Sequence, residues 1–200
     1  MSEEAVLEGI EQIEEIELKT LTSVTNVQEQ SLLWDIYHCT FGENKICAQD
    51  QRCYNKIAFK KALEDSDYIK FILYKDGFIV GFCLATNKLE KARVAYINPD
   101  FFKFRYPKFS KEGRIYYITA LCILPQTHTI RGLKFLLNSM IYYVNEREAI
   151  VAFDFSENKN KFLPKLAKVL GESADVPVVG NRLDAQTYFE LYGLHNAKPE

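Results

Sequence analysis

The chain has 200 residues, room for one compact domain. Its composition, 48% hydrophobic and 26% charged with only 9 Gly and 6 Pro, excludes a disordered or collagen-like polymer. Lys and Arg number 25 against 27 Asp and Glu, a formal charge of -2. That leaves no global field to draw in nucleic acid, and the richest apolar run, Phe78 to Ala85, is strand-sized, so no membrane span is expected.

The chain starts Met1-Ser2-Glu3-Glu4, unlike the basic leader of a secretory signal. Residues 1–15 read as an acidic leader, either solvated or a short helix with Val6, Ile10 and Ile13 on one side, rather than an interaction arm. The five cysteines, Cys39, Cys47, Cys53, Cys83 and Cys122, are odd in number and scattered, so no disulfide framework is predicted and a reducing cytoplasm fits best. His38, Cys39, Cys47 and Cys53 are soft ligand types in one region. They lack a Cys-x-x-Cys pair, and adjacent His38 and Cys39 would point apart on a helix, so no metal site is expected.

Ile16 to Leu21 predicts a first strand. Asn26 with Glu29 three residues on is a capping-box pattern, and Leu32, Leu33, Ile36 and Tyr37 continue at helical spacing to about Cys39. Ala58, Phe59, Ala62 and Leu63 mark a second helix ending near Asp65. Tyr68 to Tyr74 and Phe78 to Thr86 form a hairpin around Asp76-Gly77, with Gly81 predicting a bulge or a close backbone approach. The aromatic stretch from Tyr96 to Phe109 is expected to pack against the body of the fold, extend the strand or cover a pocket. Ile115 to Ile123 reads as a central strand stopped by Pro125.

Leu133, Leu136, Leu137, Met140, Ile141 and Val144 then give the clearest amphipathic helix, starting at Leu133. Ala149 to Phe155 is a further strand, and Leu163 to Leu170 a short helix with Pro164 in its first turn, closed by Gly171. Two last strands, Pro177 to Val179 and Gln186 to Leu191, complete an α/β order in a single domain spanning 16–193, followed by a tail at 194–200.

The junction from Ile123 through Pro125 to Leu133 carries the chemistry. A helix start presents amide N–H groups at the positive end of the helix dipole, and a glycine lets a phosphate approach the backbone. Here Gly132 supplies that glycine, while Arg131 and His128 can add hydrogen bonds to a phosphate oxygen.

Together, the element order and this junction resemble the GNAT acyltransferase superfamily, from about Ile16 to Leu191. The features that carry the likeness are the Asp76-Gly77 hairpin with Gly81, the Leu121-Cys122-Ile123-Leu124-Pro125 strand end, Asn160 before a helix closing at Leu170-Gly171, and Asp184-Ala185-Gln186-Thr187-Tyr188-Phe189 as a final strand. The resemblance implies a mixed central β-sheet flanked by helices, with acetyl-CoA or another acyl-CoA as cosubstrate. It implies a coenzyme held by Leu121, Cys122 and Ile123, by the loop and helix start His128, Thr129, Ile130, Arg131, Gly132 and Leu133, and by Asn160.

The sequence departs from the family at two places. The family's coenzyme loop has a glycine and then a glycine or alanine where Arg131 and Leu133 stand, and Ala167 occupies the place of a frequent tyrosine that protonates the leaving thiolate.

The resemblance implies an N-acyltransferase moving an acetyl or other acyl group from acyl-CoA to an amine of a small molecule or peptide. The departures keep two other readings: an inactive GNAT-like binding or regulatory module, and an acyltransferase fed by an acyl carrier protein docking on Lys103, Arg105, Lys108 and Lys111. Attack requires a neutral amine, hence a base. Tyr116 to Ile123 holds no Asp or Glu, so the catalytic residues are not fixed, and the candidates are Asp154, Tyr188, His38 and Tyr37. Cys122 as a nucleophile would need an activating base, and it reads better as a buried core residue. A homodimer is left open.

Overall fold

A computed structural model describes residues 15–42, 53–92, 99–124 and 130–154. In chain order they form β1 (Ile16–Leu21), α1 (Val27–Phe41), α2 (Lys56–Glu64), β2 (Tyr68–Lys75), β3 (Phe78–Thr86), a 3-10 turn (Leu89–Lys91), α3 (Pro99–Arg105), α4 (Pro107–Lys111), β4 (Ile115–Ile123), α5 (Ile130–Asn145) and β5 (Ile150–Ala152). The five strands make one sheet in the order β1-β2-β3-β4-β5. Neighbours from β1 to β4 are antiparallel. β5 follows a helical crossover and pairs parallel to β4. Among the described residues, no helix is long and apolar enough to cross a membrane.

Helices cover both faces of the sheet. On one side Ile72, Phe82, Leu84, Ala120 and Cys122 pack with Leu33, Ile36 and Tyr37 of α1 and Phe59 and Leu63 of α2. On the other, Phe71, Cys83, Ile118 and Ile123 meet Leu136, Leu137, Met140 and Ile141 of α5. Burial on both faces explains why β2, β3 and β4 read as nearly continuous apolar runs rather than alternating ones. A smaller cluster, Ala92, Phe102, Ile115, Tyr117 and Ala152, joins α3 to the β4–β5 pairing.

Local chemistry sets the boundaries. Asn26 caps α1 by accepting from the amides of Gln28 and Glu29 at 2.9 and 3.1 Å. Asn55 caps α2 in the same way, accepting from the Ala58 amide at 2.8 Å. Asp76 and Gly77 both have positive φ, 50° and 80°, as a tight hairpin turn requires.

Three boundaries are corrected, those of α1, α5 and β5. α1 runs two residues past Cys39 to Phe41. From Pro99 on, the aromatic stretch packs against the body of the fold as expected, Phe102 against Tyr117, and it does so as two short helices, α3 and α4, each opening on a proline, whose fixed φ suits a first helical turn. α5 begins at Ile130, so Ile130, Arg131 and Gly132 are helical rather than part of a loop. β5 has three residues where Ala149 to Phe155 was expected. The acidic leader, Cys47, the helix after Asn160 and the last two strands lie outside the described residues.

Lys70 is the least expected core residue. It stands in β2 and is 0% exposed. Its ammonium donates to the carbonyls of Thr22 (2.8 Å), Tyr68 (2.9 Å) and Asp65, tying the end of β1 and the end of α2 to β2. Burial lowers its pKa to about 8, so the group is still charged at neutral pH and all three N–H donors are used. Above it, Lys91 bridges Asp65 (2.6 Å) and Asp67 (2.7 Å), and these hydrogen bonds push the Lys91 pKa up to about 12.

Replacing Lys70→Met keeps the apolar stem but leaves three carbonyls without their donor. The expected loss is about 2–4 kcal/mol, read as a lower urea midpoint with an unchanged m-value.

Candidate functional site at the β4–β5 fork

β4 and β5 pair over only three residues: Ile115 with Ile150, Tyr116 with Val151 and Tyr117 with Ala152. The ladder does not continue to Phe153 and Asp154. β4 runs on for six more residues, roughly 20 Å at strand rise, with no described strand on its outer edge. Where the pairing stops, β4 carries a bulge. Ala85 of β3 faces Ile118 and Leu84 faces Ala120, so Thr119 is the extra residue. A bulge bends its strand and adds twist, which turns the second half of β4 away from the line of β5.

The peptide directions along this free edge can be assigned. The amide of Leu124 donates to Val80 on β3 at 2.9 Å. The Cys122 carbonyl also faces β3, lying 2.8 Å from where a Cβ on Gly81 would stand. Alternation along the strand then turns the peptide groups of Leu121 and Ile123 to the open side. Gly81 permits this geometry, since any larger residue would strike the Cys122 carbonyl and the Ile123 side chain, 2.9 Å away.

At the crotch of the fork stands a phenol–carboxylate pair. The Tyr117 hydroxyl donates to Oδ1 of Asp154. The Tyr117 ring is 3% exposed and packs edge-on against Phe102 of α3, centroids 6.4 Å apart. Asp154, two residues past β5, is exposed. A buried tyrosine therefore orients a solvent-facing carboxylate at the point where the two strands part. Asp154 was a candidate base in the sequence; Tyr117 was missed. The only signal for Tyr117 was its position in β4, and that means nothing until the β4–β5 register is known.

The other candidates separate. Leu121 and Ile123 flank the open edge, while Cys122 turns its side chain into the α1 face. Its thiol is held well above the usual range by burial, although a hydrogen bond with Thr40 pulls the other way. Such a thiol is a poor nucleophile. Tyr37 is a core residue whose hydroxyl accepts from the Tyr54 amide at 2.8 Å, and burial raises its pKa strongly. His38 is exposed on α1, its ring 5.9 Å from Trp34. Ile130, Arg131 and Gly132 form the first turn of α5, with Gly132 buried. Leu133 packs into the core on the α5 face of the sheet, not across the fork. His128, Thr129, Asn160 and Tyr188 lie outside the described residues. Among the described residues, no group of three or more His, Cys, Asp or Glu side chains is placed to hold a metal ion.

Two measurements check this geometry. Gly81→Ala is expected to cost about 1–3 kcal/mol because the clash is with backbone, and urea unfolding reads it directly. Cys39 is exposed, whereas Cys83, its pKa raised to about 12 by burial, and Cys122 are buried. A disulfide reagent at about pH 8, followed by peptide mapping, should label Cys39 at once and Cys83 and Cys122 only as the chain unfolds.

No protein-family model matches the chain. No curated protein matches it in sequence. Solved structures do. The aminoglycoside acetyltransferase meta-AAC0020 from an uncultured soil metagenomic sample, solved with trehalose, superposes with a TM-score of 0.52 at 13% identity, covering 86% of this chain and 97% of that one. Aminoglycoside N-acetyltransferase AAC(6')-Iy, solved in complex with CoA, gives 0.52 at 14% identity over 88% and 99%. The aminoglycoside acetyltransferase HMB0005, also from an uncultured soil metagenomic sample, gives 0.52 at 15% over 85% and 99%. With its mixed five-stranded sheet and flanking helices, the chain has the fold of these GNAT acetyltransferases.

Proposed function

We propose that the chain is an N-acyltransferase that moves an acetyl or other acyl group from acyl-CoA to an amine. The observation that carries this reading is the edge of β4 that no described strand covers, where the amides of Leu121 and Ile123 face outward beside the fork. Fixed N–H donors on such an edge can hold a thioester carbonyl and stabilise the oxyanion that forms when it is attacked. Beyond Ile123 the chain leads to the positive end of the 16-residue α5 at Ile130–Gly132, a suitable place for the coenzyme's diphosphate. His128, Thr129, Arg131, Leu133 and Asn160 enter this reading from the sequence resemblance.

The Tyr117–Asp154 pair, at the other end of that edge, supplies the proton chemistry through intervening water. Asp154 takes the proton that the amine nitrogen gives up as it attacks, and the Tyr117 hydroxyl orients the carboxylate by donating to Oδ1. In that step the nitrogen of the neutral amine forms its bond to the thioester carbon, and the carbonyl π pair moves onto the oxygen. As the tetrahedral centre collapses, the carbon–sulfur bond breaks, and the proton passes on to the departing thiolate. The amide product and the free thiol balance the amine and the thioester consumed.

Thermal shift with CoA, acetyl-CoA and longer acyl-CoAs tests the binding step. A ligand at 100 times its Kd adds about 2.7 kcal/mol of stability, several degrees in melting temperature for a chain of this size. Asp154→Asn and Tyr117→Phe should each lower kcat about 100-fold or more in a thiol-release assay with a panel of amines, while leaving the acetyl-CoA shift unchanged. No shift with any of these ligands overturns the reading. A shift without turnover leaves a coenzyme-binding module.

A further inference from the structure

The segment from Pro99 to Arg114 carries five cations and two carboxylates in a chain whose net charge is -2. Lys103 is paired with Asp100 at 2.8 Å, and Arg114 is bound to Glu112. Arg105, Lys108 and Lys111 are exposed, and none makes an ion pair with a described residue. Between Lys103 and Arg105 stands Phe104, 91% exposed. Two residues earlier on the same short helix, Phe102 is 1% exposed and packs on Tyr117. α3 thus buries one phenylalanine against the fork and holds another out in water beside Arg105, which makes no ion pair with a described residue.

We propose that the α3–α4 prong is a docking surface for an acidic polypeptide, and that an amine of that polypeptide is the acceptor in the acyl transfer. The first half stands on the surface itself; the second rests on the acyltransferase reading above. Charge complementarity selects an acidic partner, and an apolar pocket on it would take Phe104. Position selects an acceptor. The prong touches the Tyr117 end of β4, roughly 20 Å along the strand from Ile123 and the approach to α5. A partner seated there reaches the fork from the end opposite the proposed diphosphate site. An anionic bilayer fits less well. Helices of seven and five residues with one protruding ring lack the broad apolar face of a helix lying in a membrane. A plane of negative charge would also repel a body that is itself net negative.

The test uses fluorescence anisotropy on the full chain. The probe is a labelled peptide of about twelve residues, half glutamate with two leucines and a free N-terminal amine, compared with its glutamine counterpart. The acidic peptide should bind about tenfold more tightly than the neutral one, and more weakly as NaCl is raised from about 50 to about 300 mM. Phe104→Ala and the triple variant Arg105→Glu/Lys108→Glu/Lys111→Glu should each weaken binding about tenfold, with melting temperature and acetyl-CoA shift unchanged. Equal affinity for the two peptides, variants that bind like the wild type, or co-sedimentation with vesicles of about 30% phosphatidylserine in place of peptide binding would each overturn the proposal. Peptide binding without any acyl-CoA shift removes the acceptor half and leaves the docking surface. Thiol release with small amines but no peptide binding does the reverse, removing the docking surface while the acyltransferase reading stands.

Discussion

Three residue pairs of parallel ladder join β5 to β4, and the pairing ends beside the bulge at Thr119. The arrangement of the site follows from that short pairing. A fully zipped parallel pair would commit the amides of Leu121 and Ile123 to a neighbouring strand. It would also carry Asp154 into the ladder instead of leaving it exposed at the crotch. Because the ladder stops, backbone donors and a carboxylate stand at two ends of one edge that no described strand covers. The tyrosine that orients the carboxylate comes from the last paired position of β4.

Keeping such an edge open requires rigidity on the other side of the sheet. β4 is held by β3 along most of its length, with Gly81 allowing close approach at the end where the free amides lie. β3 is held by β2, and β2 is anchored through Lys70 to the chain on both of its flanks. Hydrogen-bonding a buried ammonium to three backbone carbonyls is costly to assemble and worse to leave incomplete, so it fixes one arrangement of the turns around it. Lys91, gripping Asp65 and Asp67, extends the same network toward the short turn that precedes α3. The prong and the fork thus stand on one continuous set of packed and hydrogen-bonded elements, joined at the contact between Phe102 and Tyr117.

Much of the frame was legible because its signals are local. The hairpin at Asp76-Gly77 follows from which residues tolerate positive φ. The cap at Asn26 follows from a side chain that satisfies the first helical amides, and the α5 stripe follows from a 3.6-residue period. The failures also have local causes. α3 and α4 are too short for periodicity to register, and their aromatic residues read equally well as strand. α5 starts at Ile130, three residues before the apolar stripe that marked it in the sequence begins at Leu133. Lys70 gave no sign of burial, since a lysine in a strand is ordinarily a solvent-facing residue.

The sequence by itself determined the order of β1–β5 with α1, α2 and α5, the Asp76-Gly77 hairpin, the Asn26 cap and the apolar stripe of α5, because each depends on residues within a few positions of one another. It also contained Asp154 as a candidate base. Only the tertiary structure decided that Asp154 meets Tyr117, that Cys122 and Tyr37 are core rather than chemistry, and that no described strand pairs with the edge beside Leu121 and Ile123. Those outcomes depend on strand register and on where a ladder ends. Register is set by the packing of residues far apart in the chain, and a shift of a single position would turn each of these side chains to the opposite face.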